Sequence, residues 1–319
     1  MIVKDMHVRK LVKSGYTSLV IAIPKEWIDR NKLMPGDLVY INEEANDLRI
    51  KIDYKEKKSA SKEKVISIDG KGDHTIMREI AAAYLNNYDF IIIKGAELKK
   101  NIKQVKKCIS DLVALELVDE SSDRIVAKSF LNLHDTDIKV LVKRIDNIIR
   151  SMILDSKEVY SDASLVNAIH DRDEEVNRLT FMVSKILKSA YNDKSILSAL
   201  HFEEMDILRY WELNGSLEKI GDRIKNIAEI AISLKQAQRK CFLELFSHIE
   251  SLFKEAMKSF YEKSSELSDE VSVKRKKLLA EIKNYINESN SALCSQIAVN
   301  AYNMTAHIND ISRIARYLD

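Results

Sequence analysis

The spacing of apolar residues along the chain changes near residue 135. From there to the end, apolar side chains recur every three or four residues, which is the period of a helix packed along one face. The pattern predicts three helices over residues 135–235 and three more over 237–319. The repetition of the plan indicates an internal duplication, and we expect two tandem antiparallel three-helix bundles.

The third helix of the first set shows this apolar stripe, called its seam below, most clearly. Its apolar positions are Leu213, Leu217, Ile220, Ile224, Ile227, Ala231 and Leu234. In the second set, helices are predicted near residues 239–263, 274–288 and 291–318.

Residues 65–131 follow a different pattern, in which short apolar runs alternate with helical periods. The order is strand, helix, strand, helix, strand, strand. Such an order predicts a compact α/β domain with helices covering a small sheet. A polar stretch over residues 54–64 is interpreted as a linker to the segment that precedes it.

The first 53 residues carry strand and turn signals. Strands are predicted over residues 8–12, 19–23, 37–42 and 48–52, with a short helix over 25–31. Pro35 and Gly36 predict a type II turn, because proline fixes one φ angle and glycine supplies a positive φ at the next position. So few elements give a monomer little core, and we expect this head to dimerise.

Composition agrees with a small head on a long helical body. Only 7 of the 319 residues are Gly and 2 are Pro, about a quarter of the usual share of roughly 12%. This excludes collagen-like chains, loop-rich β-sandwiches and Pro/Gly linker proteins. The expected fold class is mainly α with a small β head.

Charge and cysteine usage narrow the function classes. Lys and Arg number 51 against 49 Asp and Glu, so no overall field points to nucleic acid. The three cysteines lie far apart, which indicates neither a disulfide framework nor a cysteine zinc site. No signal peptide or membrane-length apolar run occurs, and a cytoplasmic protein without membrane insertion is expected.

Residues 1–32 differ from the rest in charge. They hold seven basic side chains against three acidic ones. On both halves of a dimer, such a patch can neutralise several DNA phosphates. An ordinary solvated face is the simpler alternative.

Two acidic motifs stand out in the helical body. One contains Glu218, Asp222 and Asn226, and the other contains Asp173 and Asn177. A spacing of four places each set on one helix face. Like charges four residues apart destabilise a helix by roughly 0.2–0.5 kcal/mol, so a bound cation is one interpretation. Oxygen donors of this kind suit Mg, Mn, Ca or Fe.

The alternative is that nearby basic side chains neutralise a solvated face; the candidates are Lys219, Arg223, Arg172 and Arg178. Gly221 lies between the two carboxylates of the first motif. A glycine inside a helix costs about 1 kcal/mol relative to alanine. We therefore expect a ligand or a neighbouring helix to approach the backbone at this position.

Sequence motifs of the head resemble the AbrB/SpoVT family of swapped-hairpin DNA-binding domains. They are Arg9-Lys10-x-x-Lys13-Ser14-Gly15-x-x-Ser18, Ala22-Ile23-Pro24-Lys25-Glu26-Trp27 and Leu33-x-Pro35-Gly36-Asp37. That family forms an interlaced β-dimer and presents basic residues to DNA. The resemblance implies that the DNA contacts are Arg9, Lys10, Lys13, Lys25 and Arg30.

Both acidic motifs resemble the PhoU family of phosphate-signalling regulators. The matching stretches are residues 173–179 (DEEVNRL) and 217–229 (LEKIGDRIKNIAE). That family is built from tandem three-helix bundles with metal clusters on carboxylate motifs. The resemblance implies a divalent or trivalent metal (Fe, Mn, Mg or Zn) held by Asp173, Asn177, Glu218, Asp222 and Asn226. In the second unit, Thr305 and Asn309 take the places of Glu218 and Asp222, so a second metal site is not expected.

The whole chain is similar to archaeal-type PhoU proteins with an N-terminal AbrB-like domain. This implies a non-enzymatic, homodimeric, phosphate-responsive transcription regulator that binds DNA. The alternative is an adaptor that docks on a phosphate-transporter ATPase or a sensor kinase, with the head serving only to dimerise. A carboxylate-bundle metalloenzyme is disfavoured, because the Glu-x-x-His motifs of such sites are absent.

Overall fold

A computed structural model of the protein describes residues 7–44, 47–52, 61–289 and 291–316. Contacts divide the chain into an N-terminal unit, Met1–Ala60, and a larger unit, Ser61–Asp319. The division falls within the linker predicted over residues 54–64, of which residues 54–60 lie outside the described residues. In the described parts of the chain, no helix is both long enough and apolar enough to cross a bilayer.

The N-terminal unit contains two hairpins and a short helix. Its elements are β1 (Val12–Ser14), β2 (Ser18–Val20), α1 (Lys25–Arg30), β3 (Tyr40–Glu44) and β4 (Asp47–Lys51). β1 pairs antiparallel with β2, and β3 pairs antiparallel with β4. The first and third strands begin later than predicted, at residues 12 and 40. The predicted ends of this domain, residues 1–6 and 53, lie outside the described residues.

The turn predicted at Pro35 and Gly36 is confirmed. The Asp37 N–H donates to the Met34 carbonyl at 3.0 Å, and Gly36 has a φ of +101°. The Asp37 carboxylate in turn accepts from the Met34 N–H at 2.6 Å. Glycine is required at position 36 because other residues rarely adopt this backbone conformation.

No side chain described in the N-terminal unit is buried. Its apolar side chains face solvent instead; exposures include Val12 58%, Leu19 62%, Ile41 60% and Leu48 66%. One copy of this unit therefore has no apolar core of its own among the described residues.

The larger unit begins with an α/β layer, which has the predicted βαβαββ order. It comprises β5 (Glu63–Ser67), α2 (Asp73–Leu85), β6 (Phe90–Lys94), α3 (Leu98–Ser110), β7 (Leu115–Glu120) and β8 (Arg124–Ser129). The sheet order is β5-β6-β8-β7, with β5 parallel to β6 and the other pairs antiparallel. Ile80, Tyr84 and Ile93 belong to its apolar core. β5 starts inside the predicted linker because Glu63 pairs with Phe90 of β6.

The rest of the larger unit is helical. It comprises α4 (Ile138–Ser156), α5 (Ser164–Asn192), α6 (Lys194–Ala199), α7 (Glu204–Ala231), α8 (Gln236–Glu262), α9 (Ser265–Ser289) and α10 (Ala292–Arg316). α7 packs against α4, α5 and α10. The predicted sets of three long helices are therefore present, but their apolar side chains form one continuous core.

The helical part differs from the prediction in one additional helix and in the start of α9. α6 is an additional short helix, and it begins where the Asp193 side chain accepts the Ser195 N–H at 2.9 Å. α9 begins at Ser265 and not near residue 274, because the Ser264 hydroxyl accepts the Leu267 N–H at 3.2 Å. A side-chain oxygen that accepts a backbone N–H of the first turn stabilises the start of a helix.

Several turns place a residue other than glycine in the left-handed region. In the described ranges these residues are Lys32, Asn87, Ala114, His201 and Lys263. The C-terminus of α8 is an example, where Lys263 has a φ of +51° and the next N–H donates to the Ser259 carbonyl at 3.0 Å. Glycine is the usual residue at this point of a helix end, and another residue costs about 1–2 kcal/mol.

A buried lysine joins α5 to the α/β layer. Lys185 is 1% exposed, and its Nζ donates to the Ser129 hydroxyl at 2.8 Å. The same Nζ lies 4.1 Å from the centre of the Tyr84 ring. Burial lowers the pKa of Lys185 to about 8. The position lies next to the apolar seam of α5, and the sequence pattern did not single it out.

Stability should rise with pH above 8 because of Lys185. The unfolded lysine holds its proton up to about pH 10.4, whereas the folded one releases it near pH 8. The unfolded state therefore binds more protons in this interval, and the free energy of unfolding rises with pH, by up to about 3 kcal/mol. Urea unfolding of the native chain and Lys185→Met between pH 7 and pH 10 measures this. The free energy of unfolding of the native chain minus that of Lys185→Met should rise with pH. A difference that stays constant would contradict the lowered pKa of Lys185.

Candidate functional site

The predicted metal ligands lie on two helices that pack against each other. Asp173 and Asn177 belong to α5, and Glu218, Asp222 and Asn226 belong to α7. Asp173 is 3% exposed, and the other four side chains are half-buried. The fold thus brings a buried carboxylate of one helix next to the acidic motif of the other. Asp173, Glu218, Asp222 and the adjacent Lys225 are called the acidic cluster below.

A lysine pairs with two carboxylates of this cluster. The Lys225 Nζ lies 2.5 Å from Asp173 Oδ2 and 2.9 Å from Asp222 Oδ1. Lys225 follows Asp222 by three residues, and this spacing is the only signal in the sequence for the pair of Lys225 with Asp222.

Of the four basic residues named as alternative countercharges, three contact other residues. Arg172 pairs with Asp155, Arg178 contacts Glu175, and Arg223 donates to Asn300. Lys219 forms no ion pair with any described residue. Its charge nevertheless opposes the upward pKa shift of Glu218. The ion pair with the cluster comes instead from Lys225, one turn beyond Asp222.

The helix α5 packs directly against the backbone at Gly221. A Cβ atom at this position would lie 3.4 Å from Asp173 Oδ1 and 3.6 Å from Val176 Cγ1. The expectation of a close neighbour is therefore confirmed, and the neighbour is a helix. The same Asp173 Oδ1 is buried and has no hydrogen-bond partner in the described parts of the chain. A buried carboxylate oxygen in this state is costly.

The cluster combines burial with repulsion between carboxylates. Burial raises the pKa of Asp173, although Lys225 opposes the shift. Burial and the neighbouring charge of Asp222 both raise the pKa of Glu218. Burial disfavours the charged Lys225, but its hydrogen bonds to Asp173 and Asp222 outweigh this and raise its pKa. Three carboxyl groups thus share one ammonium group.

The predicted ligand set is not assembled around a cation position. Among the residues that the structure describes, no three His, Cys, Asp or Glu side chains are arranged to hold a metal ion. The Lys225 ammonium lies between Asp173 and Asp222, where a bridging cation would have to lie. Asn177 donates weakly to Asp173 at 3.4 Å. Asn226 makes no hydrogen bond to the others in the described ranges. In this arrangement the residues do not fit a metal.

An open cleft lies where α5 meets α2 and α3. Its volume is about 330 Å³, and α2, α3 and α5 form its walls. Most of its exposed lining surface is apolar, and Arg78, Asp111 and Arg178 are among the charged residues of the lining. Asn177 lines this cleft and also contacts Asp173, so it connects the cleft to the acidic cluster. Burial raises the pKa of the Cys108 thiol in the cleft wall to about 11, which keeps it protonated.

The corresponding positions of the second unit are neutral. Thr305 is fully buried, and its hydroxyl donates to the Tyr302 carbonyl at 2.8 Å. Asn309 accepts from the Ser272 hydroxyl at 3.4 Å. The second unit therefore has neutral, hydrogen-bonded side chains at the two positions where the first unit has carboxylates.

The predicted DNA-contacting residues are all exposed on the N-terminal unit. Arg9 and Lys10 precede β1, and Lys13 lies within it opposite Leu19. Lys25 and Arg30 are the first and last residues of α1. No residue in the described part of this unit buries these side chains.

The helical part of the larger unit thus defines a class of helical domain in which a partly buried charged cluster lies between two long helices. Comparison with known families identifies part of this unit, because residues 142–231 match the PhoU domain family. The match runs from within α4 to the end of α7 and includes all five predicted ligands. It confirms the predicted resemblance over this segment of the chain.

A solved structure aligns with a larger part of the chain. The crystal structure of PhoU from Pseudomonas aeruginosa covers 56% of this chain and 90% of its own, at 17% identity and a TM-score of 0.40. A likeness of this size does not by itself establish a common fold. No curated protein sequence matches the chain.

Removing Lys225 should destabilise the helical body. In Lys225→Met, Asp173 remains buried without a countercharge, and we expect a loss of about 3 kcal/mol in the free energy of unfolding. Urea unfolding at pH 7 measures it. Lys219→Met, an exposed lysine on the same helix, is the matched control and should change stability by less than about 0.5 kcal/mol. Equal effects of both substitutions would contradict the role of the buried pair.

Proposed function

We propose that this chain is a non-enzymatic, phosphate-responsive regulator of the PhoU type that acts as a homodimer and binds DNA through its N-terminal unit. The match of residues 142–231 to the PhoU domain carries the first part of this proposal. The exposed apolar and basic side chains of the N-terminal unit support the second part.

Dimerisation is supported by the lack of a core in the N-terminal unit. Val12, Leu19, Ile41 and Leu48 each expose more than half of their surface. Apolar surface contributes about 25 cal/mol per Å² when it is removed from water. A second copy of the same unit would cover these side chains, as in the swapped-hairpin dimers that the sequence resembles.

DNA binding is supported by the basic side chains on the same small unit. Arg9, Lys10, Lys13, Lys25 and Arg30 are exposed, and a dimer doubles their number. Lysines act as point charges toward phosphates, whereas an arginine can also contact a base edge through two hydrogen bonds. The affinity of such an interface falls steeply with salt.

Neutralising the head should weaken DNA binding and its salt dependence. In the full chain with Lys10→Gln, Lys13→Gln and Arg30→Gln, affinity for double-stranded DNA should fall. The slope of log affinity against log salt should decrease by about 1 for each phosphate that the variant no longer neutralises. Fluorescence anisotropy between about 50 and 200 mM salt measures both quantities.

A matched control removes three exposed charges elsewhere, through Lys276→Gln, Lys277→Gln and Lys283→Gln on α9. This variant should bind DNA like the native chain, and both variants should sediment at twice the chain mass. Equal losses in the two variants, or no binding by the native chain at about 50 mM salt, would contradict DNA binding by the head.

An exposed apolar stripe on α7 favours a second candidate function, that of an adaptor. Met205, Leu208 and Trp211 are 54%, 61% and 50% exposed and recur every three residues. A stripe of this kind fits docking to another protein, such as a transporter ATPase or a sensor kinase. In cells, phosphate regulation that survives the head neutralisation but not Trp211→Glu would favour the adaptor.

We further propose that the acidic cluster accepts a divalent cation only when Lys225 is displaced. The carboxylates of Asp173, Glu218 and Asp222 are oxygen donors that suit Mn or Mg. The buried, unpartnered oxygen of Asp173 supplies one further acceptor. Lysine and metal would then compete for the same carboxylates.

Lys225→Met should therefore bind Mn²⁺ at least about tenfold more tightly than the native chain. Electron paramagnetic resonance of free Mn²⁺ measures the affinity. Adding Asp173→Asn to the variant should abolish the gain, because it removes one carboxylate. The same affinity in all three proteins would rule out competition at this site.

A further inference from the structure

A second cavity of about 340 Å³ lies at one end of the helical body. It is bounded by the start of α4, the connection from α6 to α7, the first turns of α7 and the C-terminal end of α8. It lies apart from the acidic cluster, and neither the PhoU resemblance nor the proposed DNA binding uses it. Its lining combines two features that ligand sites share: a wall of aromatic rings and a rim of cations.

The aromatic wall is a chain of contacting rings. Phe202 and Tyr210 have ring centres 4.7 Å apart, and Tyr210 meets Phe260 edge-on at 5.6 Å. Tyr261 continues the row and is fixed by its hydroxyl, which donates to Asp146 at 3.1 Å. Tyr261 is 44% exposed and Tyr210 is half-buried, so these two rings retain accessible surface. Burial raises the pKa of Tyr210 to about 12, which keeps its hydroxyl a donor.

The charges at the rim are predominantly positive. Lys139 lies 5.8 Å from the centre of the Phe202 ring. Lys263, the residue that caps the C-terminal end of α8, also lines the cavity. Neither lysine forms an ion pair with any residue in the described ranges. The acidic residue of the lining, Asp206, already accepts from the Glu203 N–H at 2.9 Å and from Arg209 at 3.2 Å. The two lysines are therefore available to an anion.

The backbone at the rim is strained in two places. His201 and Lys263 have φ angles of +53° and +51°, and both line this cavity. Glycine would adopt these angles at lower cost. Two residues in a conformation that disfavours them thus lie at one cavity, and strain of this kind clusters at ligand sites.

We propose that this cavity binds a nucleotide, with the base against Tyr210 and Tyr261 and the phosphate held by Lys139 and Lys263. Aromatic side chains stack with any base, and lysines bind phosphate as point charges. Inorganic phosphate alone would leave the aromatic wall unused, and an uncharged aromatic molecule would leave the lysines unused. The volume lies at the lower end of the range for small-molecule sites, which fits a mononucleotide.

Isothermal titration of the full chain with AMP tests the proposal, with adenosine and inorganic phosphate as the two component probes. We expect AMP to bind and each component to bind at least about tenfold more weakly. No binding of AMP at about 1 mM, or inorganic phosphate binding as tightly as AMP, would overturn the proposal.

Lys139→Gln should lower the affinity for AMP about tenfold. Lys263→Gly should lower it similarly and at the same time raise the unfolding temperature, because glycine fits the left-handed backbone. Ala114→Gly is the matched control: Ala114 has a φ of +59° in the α/β layer, so this variant should also be stabilised but keep its affinity. Unchanged AMP affinity in both lysine variants would overturn the assignment, whatever their stability.

Discussion

The buried carboxylate of Asp173 is the constraint on which the helical body depends. At 3% exposure it requires a positive partner, and Lys225 of α7 supplies one at 2.5 Å. Sliding α5 along α7 by one turn would leave Asp173 buried without its countercharge, at a cost of several kcal/mol, whereas Lys225 would keep its pair with Asp222 of the same helix. The pair therefore fixes the register of the two helices. Because α7 also packs on α4 and α10, that register extends to both halves of the body.

α5 carries a second buried charge that faces a different neighbour. Lys185 lies twelve residues beyond Asp173, about 18 Å along the helix axis, and contacts Ser129 and Tyr84 of the α/β layer. An acid thus orients α5 toward α7, and a base orients it toward the sheet. The cleft that contains Asn177 lies where α5 meets α2 and α3. Its walls therefore belong to elements that these polar contacts hold in place.

Local patterns were sufficient to predict most of the elements. The seam from Leu213 to Leu234, the βαβαββ order and the turn at Gly36 each depend on residues close in sequence, and each is found. Lys225 was missed as the partner of Asp173 because the two are 52 residues apart and meet only after the helices pack. Lys185 was missed because a lysine next to an apolar seam reads as solvent-exposed until Ser129 and Tyr84 are placed beside it. The sequence indicated the acidic motif, but not whether a lysine or a metal neutralises it.

The continuous apolar core has a consequence for communication along the body. The cavity begins at the first turns of α7, and the acidic cluster lies about twelve residues, or roughly 18 Å, further along the same helix. Since both halves share one core, partial opening at either place exposes apolar surface common to both. A molecule that bound only the closed form at one end would lower the population of the forms in which its site is open, by an amount set by its concentration and affinity. The two ends would then influence each other through rarely populated open states, with no change in the average shape of the helices.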